Sequence, residues 1–296
     1  MEQPGSIPVP GSLVSRSAVT AATLVYSAPT PGCGSRYLDG RVAHEARVLS
    51  AFGAGERLAG AERGVGETVF GASRAAMDLA GFADARASAY LAPLARAALL
   101  GEPIGRVLAL LDHHDIAPFV RALELAGQDA PLAGALRYAI GAGPEATLRD
   151  AMRFAAGRDA LAREYARGFE VTRELARPAL LSALSRADSI RGVLVQAYLE
   201  VLAEVPDLDV AARAGRGEAE DVARMATGVL KAGGVHSRRG LEGIANLDGL
   251  LRADGRLAPT ATEPPVIAAA FLVALEYGPD ALNHRLRPAT GTDRSR

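Results

Sequence analysis

The sequence predicts an all-α protein folded as a single multi-helix globular domain, and three observations predict it. Apolar residues recur at helical spacing: Val222, Met225, Ala226, Val229 and Leu230 occupy i, i+3, i+4, i+7 and i+8, the stripe of a buried helix. Long segments are rich in alanine, the best helix former, as in 69–79 and 88–99. No segment shows convincing period-two alternation, and no Asn-Gly or Asp-Gly pair separates two strand-like runs.

Residues 1–11, with Pro4, Pro8 and Pro10, read as a disordered arm. Ser12 is the expected cap of a first helix, which must stop at Pro29-Thr30-Pro31-Gly32. A second helix is expected over 41–52, closed by Gly53 and Gly55, and two more over 69–79 and 88–99. One long helix is expected over 145–175, with Leu161, Tyr165 and Phe169 on one face. Ile190, Val193, Leu194, Ala197 and Val201 mark another, with Asp188 as its expected cap and Pro206 just beyond it. A last helix covers 265–277. Seams near 100–102 and 127–131 are too short and too apolar to be linkers, and no repeat is visible. The helical domain is therefore drawn as 12–285, followed by a flexible tail over 286–296.

Composition narrows the function. The 33 basic and 34 acidic residues give a net charge of −1, so no overall field draws the chain to nucleic acid or anionic lipid. No apolar run approaches the roughly 18 residues that span a bilayer, and the N-terminus lacks the features of a secretory signal. Cys33 is the single cysteine, which excludes an internal disulfide and a cysteine-based zinc site. These features point to the cytoplasm. Lys231 is the single lysine, and no glycine-rich loop precedes it. Any phosphate is therefore held by arginine forks, backbone amides or a metal rather than by a P-loop.

Several clusters could carry chemistry. Gly32 and Gly34, flanking Cys33, expose backbone amides just after a helix, and Arg36 adds a charged fork, so an anion site and a plain turn compete there. Cys33 is either a nucleophile or, lacking a histidine partner in sequence, an inert thiol. Residues 207–220 place Arg213 and Arg216 beside Gly215 and Gly217 with acids on both sides. That suits a nucleotide triphosphate with its Mg²⁺, the arginines on phosphate and Asp207 on metal, and equally suits a solvated helix start. Arg158 and Asp159 belong to a second charged stretch with the same two readings. Asp112-His113-His114-Asp115 reads as a polar helix junction, because adjacent histidines on a helix diverge by about 100°.

Four segments resemble the triphosphoribosyl-dephospho-CoA synthase family, in its archaeal-type branch. Pro29-Thr30-Pro31-Gly32 with Arg36 and Asp39 is similar to the family's early Pro-Lys-Pro-Gly segment. Ala92-Pro93-Leu94-Ala95 is similar to the stretch after its Asn-Thr-Asn-Leu-Gly motif. The run from Ala151 through Arg153, Arg158, Asp159, Arg163 and Tyr165 to Phe169 resembles a third segment. Leu202 to Asp207 with Arg213 and Gly215, then Leu251 to Gly255, Leu257 and Pro259, resemble the last. The similarity covers about residues 15–280 in order.

The resemblance implies a helical enzyme that joins ATP to dephospho-CoA. A ribose hydroxyl of the acceptor attacks C1 of the ATP ribose and adenine leaves. Its expected ligands are ATP, or a related nucleotide, with Mg²⁺ and a dephospho-CoA-like small molecule. The chain departs from the pattern at Thr30 and Cys33, at Phe82-Ala83-Asp84-Ala85-Arg86 in place of Asn-Thr-Asn-Leu-Gly, and at Ala258 and Thr260 in place of an asparagine and a glycine. Polar site positions change while packing positions persist. This motivates a second reading: a degenerate paralogue acting as a helical partner or scaffold, alone or as a homo-oligomer, for another enzyme of cofactor biosynthesis.

Overall fold

The structure, a computed structural model, describes residues 7–38, 40–128 and 131–283. Among the described residues it contains sixteen α-helices, a few 3₁₀ turns and one π-helical turn, and no strand. One flank is built from α1 (Gly11–Ser27), α2 (His44–Leu58), α3 (Val65–Ala80), α5 (Ile104–Ala109), α6 (Ile116–Leu125), α7 (Pro131–Gly141), α8 (Leu148–Ala155) and α9 (Ala160–Ala166). The other holds α10 (Arg177–Arg186), α11 (Ile190–Glu204), α12 (Leu208–Ala214), α13 (Arg216–Lys231) and α14 (Arg238–Ala253). Between them lie α4 (Ala85–Leu100) and α15 (Glu263–Tyr277), followed by the single turn α16 (Asp280–Asn283).

Sequence explains why α15 is central. From Pro264 to Ala274 it is apolar on every side, and a helix with no polar face is stable only when surrounded. It packs against α1, α4, α10, α11 and the π-helical turn. Helix α11 is buried in the same way, with Tyr198 at its middle. Each such fully buried large side chain contributes about 1.5–3 kcal/mol relative to an exposed one. The outer helices carry one apolar stripe each, as in α13, where Ala219, Val222, Ala223, Ala226 and Val229 are inward.

Several boundaries differ from the sequence expectation, each for a local reason. Helix α2 runs through Gly53 and Gly55 instead of ending before them. A Cβ on Gly53 would lie 2.7 Å from the Ala75 carbonyl of α3, and one on Gly55 would collide with Val19 of α1. These glycines permit close helix approach rather than breaking the helix. Helix α1 starts at Gly11, with Ser12 inside it, and the Val9 N–H donates to the Ala98 carbonyl at 3.0 Å. Ser189, not Asp188, caps α11 by accepting from the Gly192 N–H.

The long helix expected over 145–175 is three pieces. Thr147 caps α8 and Asp159 caps α9. Gly168 and Phe169 then adopt positive φ (69° and 62°), and residues 171–176 wind as a π-helical turn. Buried Glu164 accepts the Val171 and Thr172 N–H groups and the Thr172 hydroxyl, and so holds that turn. The Asp112–Asp115 segment is a 3₁₀ turn closed by a capping box between its two aspartates, as a polar junction requires. The expected tail at 286–296 and most of the expected N-terminal arm lie outside the described residues.

Candidate active site

The early and late motif segments meet at one junction: the end of α1 meets the start of α4, which is tied to the starts of α9 and α12, and α12 is tied in turn to the segment leading into α15. The loop Pro29–Gly34 is clamped there. Gly32 has φ +78°, and a Cβ on it would lie 2.9 Å from Pro259 Cδ and 3.1 Å from Leu251 Cβ, so the loop can approach α14 this closely only as glycine. Its N–H donates to Asp248 Oδ1 at 2.8 Å, while Arg252 binds both Asp248 and the Cys33 carbonyl. The Tyr198 hydroxyl donates to the Pro31 carbonyl at 3.0 Å and lies 3.6 Å from Cys33 Sγ.

Beneath the loop is a buried ion pair. Arg47 of α2 donates to the Gly34 carbonyl at 2.8 Å, pairs with Glu263 of α15, and sits 4.0 Å over the Tyr26 ring. Burial pushes the Glu263 carboxyl up and the Arg47 guanidinium pulls it back. Its Oε1 is buried with no hydrogen-bond partner among the described residues.

Three aspartates around this core divide their oxygens in the same way. Asp84 accepts the Ala87 N–H on Oδ1, capping α4, and the Tyr26 hydroxyl on Oδ2 at 3.0 Å. Asp159 caps α9 through Oδ1 and pairs with Arg86 through Oδ2. Asp207 caps α12 by accepting the Asp209 and Val210 N–H groups on Oδ1. Its Oδ2 accepts the Ala261 N–H at 2.9 Å and the Thr262 hydroxyl at 2.8 Å. In each case one oxygen starts a helix and the other ties that helix to a different segment. Burial, and secondarily the charge of Asp209, pushes the Asp207 carboxyl up to about 6.

The sequence-predicted site residues separate accordingly. Gly32, Asp159, Asp207 and Arg213 are brought into the junction. Arg213 donates to the Arg256 carbonyl at 3.2 Å, to the Thr260 hydroxyl at 3.1 Å, and to the Ala258 carbonyl. Gly34 lies beside Gly40 in the same loop, and Arg36 is exposed on it. Arg158 is exposed, and Arg216 is exposed and paired with Glu220. Asp39 lies outside the described residues. Cys33 is buried at 7% exposure, and burial pushes its thiol up to about 12, which makes it inert rather than nucleophilic. Sequence reasoning missed Arg47, Glu263, Tyr26, Asp209 and Thr262. Asp84 was missed as well, and it alone offered a local signal, as an aspartate immediately ahead of the helix that begins at Ala85.

The arrangement offers Mg²⁺ no ready protein cage. Asp207, the expected ligand, is 2% exposed, and four donors fill the positions its two oxygens offer. Among the described residues no group of three His, Cys, Asp or Glu could hold a metal. The two spaces beside the junction measure about 20 and 10 Å³, on the order of one water each.

An all-helical fold whose polar motif segments converge on capped helix starts is distinct from a P-loop or Rossmann nucleotide site. The chain belongs to the family of ATP:dephospho-CoA triphosphoribosyl transferases, whose model matches residues 12–281. A solved structure described as a candidate triphosphoribosyl-dephospho-CoA synthase from Archaeoglobus fulgidus is similar in fold. Its TM-score is 0.59 at 24% identity, covering 77% of this chain and 98% of that one. No curated protein matches the sequence. Among the described residues no helix is long and apolar enough to cross a membrane.

Proposed function

We propose that the chain is a cytoplasmic transferase that joins ATP to a dephospho-CoA-like acceptor with release of adenine. The observation that carries this reading is the convergence of the early, third and late motif segments at one junction, with Gly32, Asp159 and Arg213 within it and Arg86 of α4 joined to Asp159. Such a displacement needs its triphosphate anchored, its hydroxyl aligned and its leaving base supported. Arg213 suits the anchoring of the triphosphate, because its present acceptors are two carbonyls and a hydroxyl, and an anionic phosphate is the stronger acceptor. Arg36 is an exposed cation of the early motif segment and Arg216 an exposed cation just after Gly215, and Gly32 and Gly34 supply close backbone approach.

Mg²⁺ is a separate element of the reading. It would enter on the triphosphate, because this ion keeps several waters and takes only one or two carboxylates. Asp207 would have to give up the Ala261 or Thr262 contact to reach it.

One observation favours the second reading, a degenerate helical partner or scaffold. Arg47, Arg86 and Arg213 are each engaged by the protein itself, and the two spaces beside the junction are water-sized. Calorimetric titration with ATP and with dephospho-CoA, each with and without Mg²⁺, separates the two. The transferase reading expects saturable binding, about tenfold weaker in Arg213→Ala, and free adenine on mixing both substrates. No binding of either ligand, together with co-elution of a homo-oligomer or an enzyme of the same pathway on sizing, would replace it with the scaffold reading.

A further inference from the structure

Asp209 lies between two cationic side chains of the junction, Arg86 on its buried side and, through Thr260, Arg213 on its outer side. Its Oδ1 lies 3.8 Å from Arg86 Nη1. Its Oδ2 accepts the Thr260 hydroxyl at 2.7 Å, and that hydroxyl in turn accepts from Arg213 Nη1 at 3.1 Å. Arg213, Thr260, Asp209, Arg86 and Asp159 thus form one chain of polar contacts running inward. Thr260 is exposed, and the side chains of Asp209, Arg86 and Asp159 are 24%, 11% and 1% exposed.

Asp209 is not the cap of its own helix, although as an acid in the first turn it favours the helix N-terminus. Asp207 is the cap of α12, and it accepts the Asp209 backbone N–H among others. The Asp159 carboxylate, by contrast, caps α9 as well as pairing with Arg86. Among the described residues the side-chain contacts of Asp209 are Arg86 and Thr260, and through Thr260 it reaches Arg213.

We propose that Asp209 is an internal stand-in for phosphate: its carboxylate occupies the anion position between Arg86 and Arg213, and a polyphosphate binds there by displacing it. The inference rests on the transferase reading, which it deepens by naming the competitor for the triphosphate. Carboxylate and phosphate accept the same charge-assisted bonds from guanidinium forks. A tethered carboxylate competes at an effective concentration in the millimolar range, so a single phosphate gains little by replacing it. A ligand with two or three phosphates can engage Arg86 and Arg213 together and prevail. The displaced Asp209 is a charge regaining solvent, and at 24% side-chain exposure it is less buried than Arg86 or Asp159. The site therefore selects polyphosphates over monophosphates.

The test is calorimetric titration of the full chain with inorganic tripolyphosphate and with inorganic phosphate, without added metal. Asp209→Asn should bind tripolyphosphate about tenfold or more tightly than the unmodified chain. Thr260→Gly, which removes one of the two ties, should shift affinity the same way by less. Adding Arg86→Ala to Asp209→Asn should abolish the gain. Unchanged or weaker binding in Asp209→Asn, or a gain that survives both Arg86→Ala and Arg213→Ala, overturns the proposal. Should Asp209→Asn fail to fold, Thr260→Gly decides alone on the same criterion. Tightening without adenine release from any variant keeps the stand-in and defeats the transferase reading. Adenine release from the unmodified chain without tightening does the reverse.

Discussion

The Thr262 hydroxyl donates to Asp207 Oδ2 at 2.8 Å, joining the end of the late motif to the helix that begins the arginine-bearing one. The Ala261 N–H shares the same oxygen, so two segments 54 positions apart are fastened at one atom.

Removing that carboxylate should therefore be felt as lost stability. Asp207→Ala leaves the α12 start uncapped and strands buried donors at Ala261 and Thr262. Each buried unsatisfied group costs about 1–3 kcal/mol and a lost cap about 1 kcal/mol. We expect a loss of at least about 3 kcal/mol by urea denaturation, with no dependence on added Mg²⁺. A near-neutral result would mean that Asp207 serves a ligand rather than the fold.

The same residue sets a pH dependence. Its folded-state carboxyl is pushed up to about 6 by burial and then by Asp209, above the ordinary value of roughly 4. A group raised on folding binds its proton more tightly in the native state. Its contribution is thus complete below the ordinary value and is lost as pH rises through about 6. Denaturation midpoints measured across this window should fall with rising pH. In Asp209→Asn the like charge is gone, so the fall should end at lower pH.

Arg47 and Glu263 are both buried, with side-chain exposures of 10% and 9%. Arg47→Ala would leave the Glu263 carboxylate uncompensated beneath the Pro29–Gly34 loop, at a cost of about 3–5 kcal/mol. The double change Arg47→Met with Glu263→Leu should cost less than Arg47→Ala, because no charge is then stranded. A double-mutant cycle by chemical denaturation checks both.

Cys33 should resist thiol reagents. With its thiol pushed up to about 12, almost none is thiolate at pH 8, and 7% exposure blocks the approach. Ellman's reagent should react slowly with the native chain and promptly in guanidinium chloride. Fast native labelling would restore Cys33 as a candidate nucleophile.

The helices were legible because helical information is local. The apolar stripe of α13 and the all-round apolar run of α15 are written at spacings of three and four residues, and alanine content did the rest. The motif segments were legible by resemblance, and family membership over 12–281 agrees with them. Boundaries were less so. Gly53 and Gly55 read as breakers, yet they are the points where α2 meets α3 and α1, and a glycine has the same letter in both roles.

What the sequence by itself determined is the fold class, the lack of P-loop chemistry, and the set of charged segments that could bear a site. What only the tertiary structure decided is how those charges are used. It showed that Asp207 is committed to four donors, that Arg47 is answered by Glu263 from 216 positions away, and that Asp209 rather than Asp207 faces the arginines. The reason is physical. A hydrogen bond or ion pair acts over about 3–4 Å of space, and its partner's place in the chain is set by how whole helices pack, which no neighbouring residue encodes.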